Sequence, residues 1–235
     1  MPSISLQELL KEKIMIFDGA MGTSIQKRQL TATDFGGVDL EGCNENLVLT
    51  RPDVIEDVHR SFLEAGADVI ETNTFGGTPL VLGEYGLQDQ ADSLNRAAAG
   101  IARRIADRYA TPNKPRYVAG SMGPTTKSIS VTGGVTFPVL VENFYRQAKS
   151  LIEGKVDLLL LETCQDTRNV KAGILGIQRA QVELGTQLPI MISGTIEPMG
   201  TMLAGQTVDA FYTSIEHAHP LSIGMNCATG PRFMT

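Results

Sequence analysis

Apolar residues along this chain fall into two alternating kinds of segment. Short continuous runs of aliphatic and β-branched residues recur at 14–17, 67–70, 117–119, 156–161, 189–192 and 221–223. Runs of this length without a polar alternate suit parallel strands covered on both faces. Between them lie longer segments with helical periodicity, at 52–65, 90–109, 138–153, 169–184 and 208–217. Strand and helix in alternation predict βαβ units with right-handed crossovers. Six units are legible, where a closed barrel of this type uses eight. A doubly wound sheet closes on six strands, but its G-x-G-x-x-G phosphate loop after the first strand is missing. The first loop instead reads Asp18-Gly19-Ala20-Met21-Gly22-Thr23. The longest irregular stretch, 29–51, is rich in Gly, Asp and Asn, and a loop of that length in a barrel reads as functional.

Each run ends in small or polar residues. They are Asp18-Gly19-Ala20, Glu71-Thr72-Asn73-Thr74-Phe75, Gly120-Ser121-Met122-Gly123, Glu162-Thr163-Cys164, Ser193-Gly194-Thr195 and Asn226-Cys227. In a barrel such endings share one mouth, where the chemistry sits. Asp18 and Glu162 would together hold an ammonium group, with the amides of Gly19 and Ala20 holding a carboxylate, an arrangement suited to an α-amino acid. The competing reading makes Asp18 a helix cap and Glu162 a solvated loop charge. Cys227 is either a metal thiolate or a small buried apolar residue. Cys43 and Cys164 have no Cys or His neighbour at zinc spacing and read as structural. His59, His217 and His219 are not assigned as ligands.

Composition narrows the class. The 235 residues are 42% hydrophobic, enough for one core, and predict a single domain over 1–235. A net charge of −6 without a basic cluster speaks against a nucleic-acid partner. No apolar stretch reaches the roughly 18 residues of a bilayer span. The start, residues 1–13, predicts a short amphipathic helix capped by Ser5 and Glu8, without the features of a signal peptide. Three separated cysteines do not form a disulfide framework, and a cytoplasmic, reducing location is expected.

Five motifs stand in one order: Asp18-Gly19-Ala20-Met21-Gly22-Thr23, Gly42-Cys43-Asn44-Glu45, Ala65-Gly66-Ala67-Asp68, Glu71-Thr72-Asn73-Thr74-Phe75 and Gly224-Met225-Asn226-Cys227. On them the chain resembles the homocysteine S-methyltransferase family over about residues 14–231. Within it, the 42–45 and 72–77 text is most similar to the homocysteine-binding modules of cobalamin-dependent methionine synthases. The resemblance implies a (β/α)8 TIM barrel, here expected as a version truncated to about six βα units. It implies a zinc ion held by three cysteines, of which Cys227 matches the first. The other two form an adjacent Cys-Cys pair, and the sequence stops at Thr235 before it. An incomplete zinc site is therefore expected. By the same resemblance Asp18 and Glu162 hold the homocysteine ammonium, Gly19 and Ala20 cradle its carboxylate, and Asn73 and Thr74 line the pocket.

The implied reaction is attack of a zinc-activated homocysteine thiolate on the methyl group of methylcobalamin, giving methionine. The thiolate is the nucleophile, and coordination to a soft-ligand metal keeps it deprotonated. Methylcobalamin would reside on a separate module, so cobalamin- and folate-binding modules are the implied partners. The alternative is an inactive truncated remnant. A barrel enzyme for a phosphorylated metabolite is disfavoured by the missing phosphate loop. Two structural expectations follow. Asp18, Asn73, Glu162 and Cys227 should share one mouth. The first and last strands should be open edges that invite self-association.

Overall fold

The strands form one parallel sheet, in the order in which they occur in the sequence. The computed structural model describes residues 5–230. Its strands are β1 (Val69–Glu71), β2 (Tyr117–Met122), β3 (Leu158–Cys164), β4 (Ile190–Gly194) and β5 (Ser222–Met225). Four short helices precede the first long one: α1 (Leu6–Leu9), α2 (Met21–Gln26), α3 (Ala32–Phe35) and α4 (Leu47–Thr50). Then come α5 (Pro52–Ala65), the short α6 (Pro79–Leu82), α7 (Ala91–Tyr109), α8 (Phe137–Glu153), α9 (Thr167–Leu184) and α10 (Val208–Ile215). Among these residues no helix is long and apolar enough to cross a membrane.

Five of the six expected strands form as such; the run at 14–17 does not. It makes a single parallel bridge, Phe17 to Val69. Two backbone hydrogen bonds to Ile16 O, donated by Asp68 N and Val69 N, and one from Asp18 N to Val69 O hold it beside β1. The physical reason is its covering. Met15 is buried, whereas Ile14 and Ile16 are 85% and 57% exposed, so one face only is packed. The N-terminal helix is also shorter than expected, spanning Leu6–Leu9, although its Ser5–Glu8 capping box is present. Residues 1–4 and 231–235 lie outside the described residues.

Element ends follow local chemistry. Pro52 occupies the first turn of α5, and Gly66 ends the helix in the left-handed region at φ 114°. Asp166 caps α9 by accepting from Arg168 N, and Gly185 closes it at φ 61°. Outward from the sheet, Ile70, Val118, Leu159, Leu161 and Ile192 pack against Leu140, Phe144, Leu151, Ile177 and Phe211 of the helices. On the opposite face, Val69, Tyr117, Ala119, Leu158 and Leu160 pack with Met15 and Leu6.

The close approach of α8 and α9 depends on Gly176. A Cβ there would stand 2.7 Å from Tyr145 N and 2.8 Å from Val141 O, both immobile backbone atoms. Gly176→Ala is expected to destabilise the chain by ~2 kcal/mol. Gly100→Ala is the control, since nothing lies within 4 Å of its Cβ. It should be neutral or stabilising by up to ~1 kcal/mol. Thermal melts of the two variants test the contrast.

Charges at the N-terminal ends of the strands are compensated. Asp68 accepts from Lys13 Nζ at 2.7 Å and Ile16 N at 3.1 Å. Arg116 donates to the carbonyls of Leu63, Gly66 and Ala67. Arg103, only 8% exposed in its side chain, pairs with Asp157 at 2.6 Å, and Asp157 also accepts from Val118 N at 2.7 Å.

Candidate functional site

The other end of the sheet carries an open cleft of about 560 Å³. Asp18, Gly19, Ala20, Asn73, Thr74, Glu162 and Cys227 all line it, so every site residue singled out in the sequence is brought together. The cleft wall also includes Glu45, Glu71, Ser121, Thr163 and Asn226. It contains four carboxyl groups and one thiol, and among the described residues no Lys, Arg or His lines it.

Asp18 follows the single-bridge run and turns its carboxylate onto the end of β1. Glu71 N donates to both oxygens, at 3.2 and 3.1 Å. Helix α2 has Ala20 at its N-cap position and no side-chain cap hydrogen bond, which removes the capping reading of Asp18. Burial pushes the Asp18 carboxyl up to about 7, against the Glu71 amide bond, and the nearby Glu162 charge adds to the rise. Burial also raises Glu71, with Glu162 and Asp18 repelling its charge.

Glu162 is half-buried rather than a solvated loop charge. It accepts from Ser121 Oγ at 2.5 Å and Thr163 Oγ1 at 3.3 Å, while burial raises its carboxyl above the usual range. Its placement has a backbone cause. The β3–β4 register shifts between Leu161 and Cys164, and Thr163 sits in the left-handed region at φ 58°. That conformation is strained for a β-branched residue, and a bulge re-aims side chains that would otherwise alternate. Both Glu162 and Thr163 consequently line the cleft.

At β5, Asn226 accepts from Ser193 Oγ at 3.0 Å and donates to Thr163 Oγ1 at 2.8 Å. It also donates to Cys227 Sγ at 3.3 Å. Cys227 and Ala228 are left-handed at φ 58° and 52°, and the Cys227 thiol is exposed. The buried-apolar reading of Cys227 therefore fails. Cys43 and Cys164 are buried. Burial and Glu45 push the Cys43 thiol up to about 11, and burial raises Cys164 as well. A thiol reagent at neutral pH should accordingly modify one cysteine quickly in the folded chain and all three after denaturation; peptide mapping should identify Cys227 as the fast one. Fast labelling of Cys43 or Cys164 would contradict this placement. His59 is wholly buried, with its imidazole pushed down to about 4, and takes no part in the cleft.

The long loop supplies the remaining wall. Asn73 Nδ2 donates to Asn44 O at 2.7 Å, and Gly76 N donates to Glu45 Oε1 at 2.7 Å. Glu45, Glu71, Ser121, Thr163 and Asn226 are polar wall residues that sequence reasoning did not single out. Their signal was position, since each stands at a strand ending or inside the 42–45 motif.

Parallel strands with outer helices and a polar cleft at the C-terminal strand ends define an enzyme of the α/β-barrel class. A family model described as homocysteine S-methyltransferase matches residues 15–235, and the chain belongs to that family. Its fold is similar to that of the homocysteine methyltransferase MmuM from Escherichia coli in metallated form. The TM-score is 0.77 at 20% identity, covering 94% of this chain and 77% of that one. In sequence it is 44% identical over 230 residues to methionine synthases of Mycobacterium tuberculosis and Mycobacterium leprae. The match takes in 98% of this chain, which spans 19% of the length of those relatives.

Proposed function

We propose that the cleft binds homocysteine as the acceptor of a methyl group, and that the chain is the homocysteine-binding part of a methionine synthase. The observation that carries this reading is the cleft's acidic lining: several carboxyls and, among the described residues, no basic side chain in the wall. Such a site favours a cationic group. Asp18 and Glu162 would take the ammonium, and its arrival would draw both carboxyls toward the ionised form. The backbone of Gly19 and Ala20, exposed in the wall, would face the substrate carboxylate. Asn73 and Thr74 would bound the side-chain path toward Cys227.

The finer reading adds a zinc ion, methylcobalamin as methyl donor, and cobalamin- and folate-binding modules as partners. Zinc would supply a Lewis acid for the substrate sulfur. Cys227 offers one thiolate, and among the described residues no three His, Cys, Asp or Glu side chains are grouped to hold a metal ion. These donors do not fit a catalytic zinc, which takes about three protein ligands. Metal analysis of the dialysed 235-residue chain should find well under one zinc per molecule; one tightly held zinc, lost in Cys227→Ala, would refute that expectation. The same donor count favours a second reading, a domain that binds homocysteine without transferring methyl by itself.

The test is calorimetric titration with L-homocysteine, beside L-alanine as a ligand without the thiol. Saturable homocysteine binding that is strongly weakened, but still measurable, in Glu162→Gln supports the reading. Equal response to both amino acids, or binding untouched by Glu162→Gln, would overturn it.

A further inference from the structure

Two fully buried amides behind the cleft grip the loop that forms it. Asn95 on α7 and Gln147 on α8 are each 0% exposed. Asn95 Nδ2 donates to Gly77 O and Ala91 O, both at 2.7 Å. Gln147 Nε2 donates to Thr74 O at 2.7 Å. Their oxygens, Asn95 Oδ1 and Gln147 Oε1, have no partner. Burying an amide with an unmet acceptor costs free energy. Reversing either amide would set oxygen against carbonyl oxygen, so the donor ends must face the loop. Gly77 leaves room for them: a Cβ there would collide with Asn95 Oδ1 and stand 2.9 Å from Gln147 Nε2.

From Thr74 a hydrogen-bond path continues to the cleft. Thr74 Oγ1 donates to Ser121 O at 2.7 Å, and Ser121 Oγ donates to Glu162 Oε1 at 2.5 Å. Thr72 Oγ1 lies 2.6 Å from Thr74 Oγ1 and accepts from Ser121 N at 3.0 Å, which ties the ends of β1 and β2 together. We propose that Gln147 is a positioning residue for substrate binding, setting the Glu162 carboxylate through Thr74 and Ser121, with Asn95 bracing the same loop. The substrate part of this proposal rests on the reading of the cleft as a homocysteine site.

Gln147→Met keeps the volume and removes the donor. It should weaken homocysteine binding about tenfold with the circular-dichroism spectrum unchanged, and cause little further loss in a Glu162→Gln background. Gln147→Glu gives a readout that a merely structural role would not move. Its carboxylate cannot donate to Thr74 O, but the protonated acid can, and burial raises the pH at which it ionises. Affinity relative to wild type at the same pH should therefore be kept in acid and fall across a titration carried from acid into the alkaline range. A pH-independent ratio, or a full tenfold loss from Gln147→Met in the Glu162→Gln background, would overturn the proposal. Carbon-13 NMR of the Glu162 carboxyl needs no ligand. Gln147→Met and Thr74→Val should both shift that signal, while Arg179→Lys on the surface should not. If the wild-type chain binds no homocysteine, the functional reading falls, and an unmoved Glu162 signal alone would then sink the linkage.

Discussion

Asp18→Asn is expected to weaken homocysteine binding by ~2 kcal/mol or more, about 30-fold in Kd, while making the folded chain more stable at neutral pH. The loss follows from removing one of the two carboxylates proposed for the ammonium. The gain follows from linkage. In the fold the Asp18 carboxyl titrates near 7, well above the ordinary value of 3.8, chiefly because it is buried. Between those two values the unfolded chain has released its proton and the native chain has kept it. Stability therefore falls as pH rises through that window and levels off above it. Asn has no proton to hold, and its oxygen still accepts from Glu71 N. The variant should lose that part of the slope and gain ~1–2 kcal/mol at pH 8, a few degrees in Tm for a domain of this size. Urea titrations at pH 4, 6 and 8 test it. A variant with unaltered slope would mean that Asp18 is ionised throughout, and unaltered Kd would remove it from the ammonium site.

The second large effect lies at the opposite end of the sheet. Arg103→Ala should cost ~3 kcal/mol, because it leaves the carboxylate of Asp157 in a poorly solvated place without its cation. Burial already outweighs the attraction of Arg103, so the Asp157 carboxyl stands above the usual range. That balance gives a discriminating companion experiment. Replacing both partners, as Arg103→Met with Asp157→Leu, removes the desolvation cost along with the pair and should recover much of the loss. A double variant as unstable as the sum of the singles would show that the hydrogen bond from Val118 N to Asp157 matters more than the ion pair. Homocysteine binding should be untouched by any of these changes at temperatures where the chain remains folded.

Much of the architecture was legible because strands buried on two faces leave continuous apolar runs. The runs at 67–70, 117–119, 156–161, 189–192 and 221–223 all form strands of the sheet, with bounds shifted by a few residues. The run at 14–17 misled because an apolar residue need not be a covered one: Ile14 and Ile16 face outward. In the site, Asp18, Asn73, Glu162 and Cys227 were found from their strand-end positions. Glu71, Ser121 and Asn226 were harder to rank, since their importance lies in partners. Ser121 matters through Glu162, and Asn226 through Thr163 and Cys227. The bulge at Thr163 leaves no mark in the sequence, because Glu-Thr-Cys has no glycine to announce a left-handed residue. Asn44 and Glu45 belong to the 29–51 stretch, whose length announced a purpose while its fold depended on contacts with the 73–76 turn.

The two ends of the sheet treat charge in opposite ways: Lys13, Arg103 and Arg116 compensate the strand starts, and among the described residues the cleft at the strand ends has no cation to match its acids. The fold thus carries an electric polarity along its strand axis. A zwitterionic amino acid has no net charge for such a field to pull, so its rate of arrival should depend little on ionic strength. The field nevertheless exerts a torque on a dipole. An approaching amino acid would be turned ammonium-first before any hydrogen bond forms, with its carboxylate and side chain trailing toward the mouth. The reacting end of the substrate would then stay at the mouth, where a methyl donor too large for the cleft could still reach it.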